Sequence, residues 1–368
     1  MGNQHKNFLL INESIVSLSL IFIISFFVNL LIINIFKKRT FCEDGVESNK
    51  PQRFHDIPTP RAGGVGIFIS VAIGLLIFEC ALQKFSFKVL YSTFYSLSKT
   101  RHIFLYIVLA SLPVFLIGFY EDMKSNTSHR MRLMVIGIGA IIGIFLMDST
   151  IYNLGICKLP FWIALPFTVF AIVGVTNAIN IIDGFNGLAS GISIIALSFF
   201  AFTSYIHGDL LIFTISLFVI SAIIGFFIWN FPNGKIFLGD SGAYFIGFVL
   251  ALISIFLVNR NPQISPWFPF VLLMYPIFEV LFSIYRRKFK RGFSSFEPDA
   301  MHLHTLIYRR VTKKNYKTSV YLWTLAAFFN AIAFPFRMHT LPLIIIFFIF
   351  SATYIYLYRR IVRFKMGW

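Results

Sequence analysis

The sequence is divided into eleven apolar runs, each long enough to cross a lipid bilayer as a helix. About 17 to 25 apolar residues are needed for such a crossing. The runs are continuously apolar instead of alternating, which favours helices over a β-barrel. We therefore predict an all-α polytopic transmembrane bundle, with residues 1–368 forming a single integral membrane domain. The predicted spans are 14–36, 63–79, 102–120, 132–147, 161–181, 188–206, 211–229, 241–258, 267–285, 318–335 and 341–358.

The lysines and arginines are distributed unevenly between the two predicted sides. If the N-terminus lies outside, the inward segments hold 24 of the 32 lysines and arginines. The positive-inside rule then predicts an outside N-terminus and a cytoplasmic C-terminus. We expect the membrane to be the plasma (inner) membrane. The inward segments are 37–62, 121–132, 230–240, 286–317 and 359–368.

The net charge of +17 does not indicate a nucleic-acid partner. With 57% hydrophobic and 13% charged residues, the chain has little soluble surface on which a basic nucleic-acid module could gather its cations. The cations lie between apolar runs instead, where topology, anionic membrane lipids and anionic substrates explain them.

Ten of the fifteen acidic residues fall on the predicted inner side, together with unusual polar residues at helix ends. Acids contribute little to orientation, so their position there indicates a shared cytoplasmic site. Its predicted loops are 37–62, 121–132, 182–188, 230–241 and 286–317. Its candidate residues are Glu121, Asp122 and Lys124 in GFYEDMK, Asn177, Asn180 and Asp183 in NAINIIDGFNGLASG, Asn230, Phe237 and Asp240 in WNFPNGKIFLGDSG, and His302 and His304 in HLH.

This set of side chains is typical of phosphoryl transfer. Asn177, Asn180 and Asp183 are spaced three apart, which places them on one face of a helix. Carboxylates are the ligands that Mg²⁺ or Mn²⁺ prefers, usually together with substrate phosphates. The glycine-rich turns 184–187 and 239–242 begin helices, whose free amides suit phosphate oxygens.

Other interpretations of single residues remain open. His302 and His304, taken alone, are ordinary loop histidines. Glu279 shares a helix face with Arg286, so an ion pair at the membrane edge fits the spacing as well as catalysis does. Arg61 could reach the site. A membrane transporter or lipid flippase is the non-enzyme alternative, although it would favour charged groups near the bilayer midplane and repeated halves.

The order of the motifs resembles a known family. NAINIIDGFNGLASG followed by FLGDSG, with PRAGG upstream and HLH downstream, is similar to the polyprenyl-phosphate N-acetylhexosamine-1-phosphate transferases, the MraY- and WecA-like enzymes of glycosyltransferase family 4. The resemblance runs from about Arg53 to Arg310. It implies transfer of N-acetylhexosamine 1-phosphate from a UDP-sugar to polyprenyl (undecaprenyl) phosphate, with release of UMP and with Mg²⁺ as cofactor. The product would initiate a lipid-linked surface polysaccharide, such as an O-antigen or another cell-envelope glycan.

The resemblance also implies roles for individual residues. Asp240 corresponds to the Mg²⁺ ligand, and Asp183 to a metal-site or catalytic aspartate. Glu121 and Asp122 match the acidic pair assigned to polyprenyl phosphate and its deprotonation. The substrate-binding positions would be Lys124, Asn177, Asn180, Asn230, Phe237, His302 and His304.

The sequence departs from the family pattern at three positions. Glu121 stands where many members have Asp, Asn186 where several have a second Asp, and Thr305 where a third histidine often lies. HLHT and RFHDIPTPRAGG resemble the WecA-like branch, which uses simple UDP-N-acetylhexosamines. The alternative within the family is phospho-N-acetylmuramoyl-pentapeptide transferase. A homodimer, the amino sugar and the identity of the base remain open.

Overall fold

The computed structural model describes residues 2–36, 59–84, 102–124, 127–291 and 301–363. Within these ranges every extended regular element is a helix, and an isolated bridge joins Asn153 to Lys158. Short π-helical segments cover Arg286–Arg291 and Tyr308–Thr312, and a 3₁₀ turn covers Phe334–Phe336. The α-helices are α1 Gly2–Phe36, α2 Gly63–Lys84, α3 Ile103–Lys124, α4 His129–Met147, α5 Phe161–Ile182, α6 Leu188–Ile206, α7 Leu210–Asn230, α8 Gly239–Arg260, α9 Trp267–Leu272, α10 Met274–Tyr285, α11 Leu303–Ile307, α12 Asn315–Ala333 and α13 Thr340–Arg363.

The prediction of an all-α polytopic bundle is confirmed. In the described part of the chain, ten helices are long and apolar enough to cross a membrane. The predicted span 267–285 is instead divided into α9 and α10, which meet at Leu273. Pro276 explains the break, because it has no N–H to donate to Leu272 and its ring would clash with that carbonyl.

Some sequence predictions fall outside the described residues. These are most of the inward segment 37–62, part of the loop 286–317, and the C-terminal residues 364–368.

Helix α8 is the centre of the bundle. In an apolar 18-residue stretch of α8, 89% of the residues are buried, against 22% in the corresponding stretches of α1 and α13. Its first turn packs closely against two other helices. A Cβ on Gly64 would lie 2.1 Å from the backbone nitrogen of Gly242, and one on Gly118 would lie 2.6 Å from Ser241 Cα. Small residues at such contacts let two helix backbones approach closely, which matters in a membrane because lipid provides no hydrophobic driving force for helix packing. The contacts at Gly64 and Gly118 thus hold the start of α8 in place.

The polar motifs meet at one end of the bundle. Helices α3, α5 and α7 end there, whereas α4, α6 and α8 begin there. Hydrogen bonds between these ends join Asp122 and Asn180 to the start of α8, and Gly187 to the end of α7. One end of the bundle therefore carries the candidate site.

Candidate active site

Asp122, near the end of α3, caps the start of α8. Its Oδ1 accepts a hydrogen bond from the backbone N–H of Asp240 (2.7 Å), and its Oδ2 accepts from the backbone N–H (2.9 Å) and hydroxyl (2.7 Å) of Ser241. Gly239 has a φ of 75°, and a Cβ there would lie 2.6 Å from Asp122 Oδ2. Only glycine fits this close, left-handed position. Asp122 thus satisfies the free amides of the helix start and fixes the position of Asp240.

Asp240 is surrounded by three donors from three distant segments. Its Oδ1 accepts from Arg61 (3.4 Å) and from the Asn180 amide (3.1 Å), while its Oδ2 accepts from Arg132 (3.2 Å). The side chain of Asp240 is 12% exposed, and those of Arg61 and Arg132 are 26% and 21% exposed. The carboxylate is therefore held between two cations at a partly open position where a solute can reach them.

Glu121 is linked to Asp240 through Arg132. The same guanidinium nitrogen that contacts Asp240 lies 3.5 Å from Glu121 Oε1. Glu121 Oε2 accepts from the Thr127 backbone N–H (2.9 Å) and from its hydroxyl. The two acids of the predicted pair thus have different partners, since Glu121 faces the cation and Asp122 faces the helix start.

Asp183 follows the last residue of α5, and its backbone N–H donates to Asn180 O at 3.2 Å. Burial raises the pKa of Asp183 to about 8; Arg61 opposes this rise, and the carboxylates of Asp240 and Asp122 add to it. These influences bring the three predicted aspartates into one electrostatic cluster. A cation bound beside Asp183 would stabilise its ionised form.

The turn after Asp183 is held in place by two asparagines. Asn230 Oδ1 accepts from the Gly187 N–H at 2.5 Å, and Asn230 Nδ2 donates to Ile236 O at 2.8 Å. Asn186 Nδ2 donates to Pro232 O at 2.9 Å. Asn230 is buried, and both ends of its amide contact backbone atoms, so it connects this turn to the segment that leads into α8.

The two predicted histidines are buried beside the same turn. Their rings stack with centroids 5.1 Å apart and an angle of 5° between the planes. A Cβ on Gly184 would lie 3.6 Å from His304 Nε2, so this nitrogen approaches the residue that follows Asp183. Burial lowers the pKa of His304 to about 3; Glu279 opposes this shift and His302 adds to it. At neutral pH His304 is therefore an uncharged ring with one N–H to donate.

The remaining predicted substrate-binding residues differ in their placement. Asn177 is partly buried, one turn before Asn180 on α5. Phe237 is partly buried, and its backbone N–H donates to Pro60 O at 2.8 Å, which places it beside the PRAGG segment. Lys124 is exposed, with its Nζ 5.2 Å from the centre of the Tyr120 ring. The substrate-binding roles stay predictions.

The donor set is suited to a hard divalent cation. Asp240, Asp183 and Asn180 offer carboxylate and amide oxygens, which Mg²⁺ prefers. Among the described residues three side chains donate hydrogen bonds to Asp240, which leaves one of the about four lone-pair sites of its carboxylate for a metal ion. Among the described residues, no three histidine, cysteine or acidic side chains are grouped closely enough to hold a metal on their own. These oxygens fit a Mg²⁺ ion that would take its remaining ligands from substrate phosphates, and the metal stays a prediction.

The chain is similar to several proteins with assigned activities. The probable undecaprenyl-phosphate N-acetylglucosaminyl 1-phosphate transferase of Bacillus subtilis is 31% identical over 305 residues, covering 80% of this chain and 78% of that relative. The undecaprenyl-phosphate alpha-N-acetylglucosaminyl 1-phosphate transferase of Thermotoga maritima is 30% identical, covering 84% and 86%. Residues 104–258 match the family described as glycosyl transferase family 4. The chain belongs to glycosyl transferase family 4. The resemblance of its motifs is thereby confirmed.

A second activity also occurs among the relatives in glycosyl transferase family 4. The phospho-N-acetylmuramoyl-pentapeptide-transferase of Staphylococcus carnosus is 29% identical over 265 residues, covering 66% of this chain and 76% of that relative. The family match at 104–258 contains all three clustered aspartates, whereas Arg61 and the histidine segment lie outside it.

The motifs did not predict the structural roles of Arg132 and Glu279. Arg132 is four residues after Ser128, which caps the start of α4, so a cation in the first turn of an apolar span was the available signal. Glu279 is 1% exposed and contacts the histidine segment through His302. An acid within an apolar run was its signal.

Proposed function

We propose that this protein transfers N-acetylglucosamine 1-phosphate from its UDP-linked form to a polyprenyl phosphate and releases UMP. The observation that carries the proposal is Asp240 held between Arg61 and Arg132 at the start of a buried helix, close enough to Asp183 to raise the pKa of that aspartate. Phosphoryl transfer depends mainly on positioning and on stabilising the charge that spreads over phosphate oxygens, and such a site supplies both. The activities assigned to the Bacillus and Thermotoga relatives support the same reaction.

The two arginines are the protein's own cations for the phosphates. Both are partly exposed and face the same carboxylate, so a diphosphate entering there would meet two guanidinium groups. We propose that Arg61 and Arg132 orient the donor diphosphate and the acceptor phosphate relative to each other.

Charge balance supports a divalent cofactor. Glu121 and Asp240 already balance the two arginines, and the pKa of Asp183 is raised to about 8 by its burial and, in addition, by the carboxylates of Asp240 and Asp122. Two phosphorylated substrates would add further negative charge. We propose that Asp240 and Asp183 hold Mg²⁺ with substrate oxygens, and Mn²⁺ could take its place. Bound there, the ion would neutralise charge on the transferred phosphoryl group.

The acceptor requires little deprotonation. A phosphate monoester loses its second proton with a pKa of about 6, so polyprenyl phosphate is mostly dianionic at pH 7. The acids near the acceptor therefore contribute through position and electrostatics. Of the candidate bases, Asp122 already accepts three hydrogen bonds, whereas Glu121 faces Arg132.

We propose that the site faces the cytoplasm from a plasma membrane. The 24 lysines and arginines of the inward segments belong to the same side as the helix ends that carry the site. This arrangement gives a soluble nucleotide sugar and a lipid-anchored phosphate access to one boundary, with the N-terminus outside and α9 and α10 together forming an eleventh crossing.

Purified protein tests the proposal directly. With polyprenyl phosphate and Mg²⁺, we expect UMP release from UDP-N-acetylglucosamine and exchange of labelled UMP back into the donor. UDP-N-acetylmuramoyl-pentapeptide is offered in competition, because the Staphylococcus relative carries that activity. Exclusive use of the pentapeptide donor would overturn the sugar assignment, and no transfer from either donor would overturn the reaction.

A further inference from the structure

Glu279 lies on α10, outside the aspartate cluster, and is 1% exposed. Its Oε1 lies 2.9 Å from His302 Nδ1 and accepts from the Leu303 N–H at 3.1 Å, and its Oε2 accepts from the Tyr354 hydroxyl at 2.8 Å. An ionised carboxylate accepts but cannot donate, and all three partners can donate to it. Glu279 is therefore satisfied as an anion in this buried position.

The carboxylate determines which nitrogen of His302 carries the proton. Since Glu279 only accepts, Nδ1 of His302 carries the proton that lies between the two side chains. A carboxylate behind a functional histidine commonly sets both the tautomer and the ring orientation. His302 in turn stacks on His304, whose Nε2 approaches Gly184 beside Asp183. Contacts thus lead from Glu279 through His302 and His304 to the turn that follows Asp183.

The last helix takes part in the same network. Tyr354, on α13, is fully buried and donates to the Glu279 oxygen that His302 does not use. Glu279 therefore joins three segments that are far apart in sequence: α10, the histidine segment and α13.

A similar arrangement occurs far from the site. Glu79 Oε1 lies 2.8 Å from His102 Nδ1, and Glu79 Oε2 accepts from the Leu105 N–H at 2.9 Å. Glu79 lies near the end of α2, whose start packs against α8, so this pair is at the opposite end of the helix from the site. The Glu79–His102 pair has the same kind of contacts as the Glu279–His302 pair, but it is not linked to the turn that follows Asp183.

We propose that Glu279 is a positioning residue for the transfer reaction: with Tyr354, it holds His302 in the Nδ1–H tautomer and keeps the stacked His302–His304 pair against the turn that follows Asp183. The proposal rests on the proposed transferase function. It predicts that Glu279 acts on turnover through His302 and has little direct effect on donor affinity.

The test compares wild type, Glu279→Gln, His302→Asn, the double variant, and Glu79→Gln as the matched control. We expect Glu279→Gln to lower kcat about 10- to 100-fold, the usual effect of changing a carboxylate behind a ligand histidine, with a much smaller change in KM. The double variant should be no slower than His302→Asn, because coupled residues are not additive. Glu79→Gln should keep wild-type kcat.

Nitrogen NMR of ¹⁵N-histidine-labelled protein reads the tautomer without any substrate. We expect an Nδ1–H signal that is absent in His302→Asn and shifted in Glu279→Gln. If Glu279→Gln folds poorly, Tyr354→Phe removes one donor only and should give a smaller shift and a kcat about 3- to 10-fold lower.

Two results would overturn the proposal: Glu279→Gln turning over like Glu79→Gln, or a double variant whose loss equals the product of the single losses. Failure of the transferase function has a different signature, because wild type would then be inactive while the His302 signal kept its dependence on Glu279.

Discussion

Replacing Asp122 by asparagine should destabilise the protein as well as slow it. The carboxylate accepts from two backbone N–H groups and one hydroxyl at the start of α8. An asparagine has one acceptor oxygen, so its NH₂ group would face the Ser241 N–H. The Ser241 hydroxyl can rotate to another acceptor, but its backbone N–H cannot.

The magnitude follows from these contacts. Leaving one buried donor without an acceptor costs about 1–3 kcal/mol, and losing the charge of the remaining bonds adds about 1 kcal/mol. We therefore expect Asp122→Asn to lower the free energy of unfolding by about 2–4 kcal/mol, which reduces Tm by several degrees. Turnover should also fall, because the helix start that positions Asp240 is no longer held.

The assay is thermal unfolding of the purified protein in detergent, measured with turnover on the same preparation. Asp240→Asn is the comparison, since it keeps the cap and should lose turnover at a nearly unchanged Tm. Ser241→Ala removes only the hydroxyl donor and should cost less than Asp122→Asn. An Asp122→Asn protein with wild-type Tm and lost turnover would refute the capping argument and assign the carboxylate to the chemistry.

Three further predictions concern other parts of the site. Arg132→Ala should lower kcat about 10²- to 10³-fold, because it removes a cation that stabilises the transferred phosphoryl group. Arg130 is exposed, and Arg130→Ala should leave kcat unchanged. Equal losses of kcat in the two variants, measured in steady-state assays, would contradict this role of Arg132. Asn230→Ala should lower Tm through the lost contacts to Gly187 and Ile236, and an unchanged melting curve would argue against that role. Because the folded-state pKa of His304 lies near 3, below the unfolded value of 6.5, the unfolded chain binds one more proton between these values. The contribution of neutral His304 to stability is complete above pH 6.5 and declines as the pH falls, by about 1 kcal/mol per pH unit. His304→Gln should therefore show a smaller decline in Tm between pH 6.5 and 5 than wild type. Parallel curves of Tm against pH for the two proteins would contradict this.

The Asp122 and Asp240 variants distinguish a contribution to stability from a contribution to turnover, which the sequence motifs alone do not distinguish. Both aspartates are acids at helix ends, yet one contacts backbone amides and the other contacts arginines. A loss of activity alone would not distinguish them, whereas Tm and turnover measured together do.

The sequence by itself determined the helical bundle and the set of residues at its active end. Length and continuity of an apolar run are local properties, so nearly every membrane span could be predicted directly from the sequence. The order of the polar motifs indicated the family. The interruption at Leu273 was missed, because its cause, Pro276, lies inside an otherwise continuous apolar run.

Only the tertiary structure decided which side chains are partners. Arg132 meets Asp240 across 108 residues, and Asp122 meets the start of α8 across 118. A motif gives residue types and order, but not the direction in which a side chain points after distant helices pack. Close contacts at small residues such as Gly64 and Gly118 set those directions. For this reason Asp122 proved to be a cap and Glu279 a partner of His302, roles that no local pattern contains.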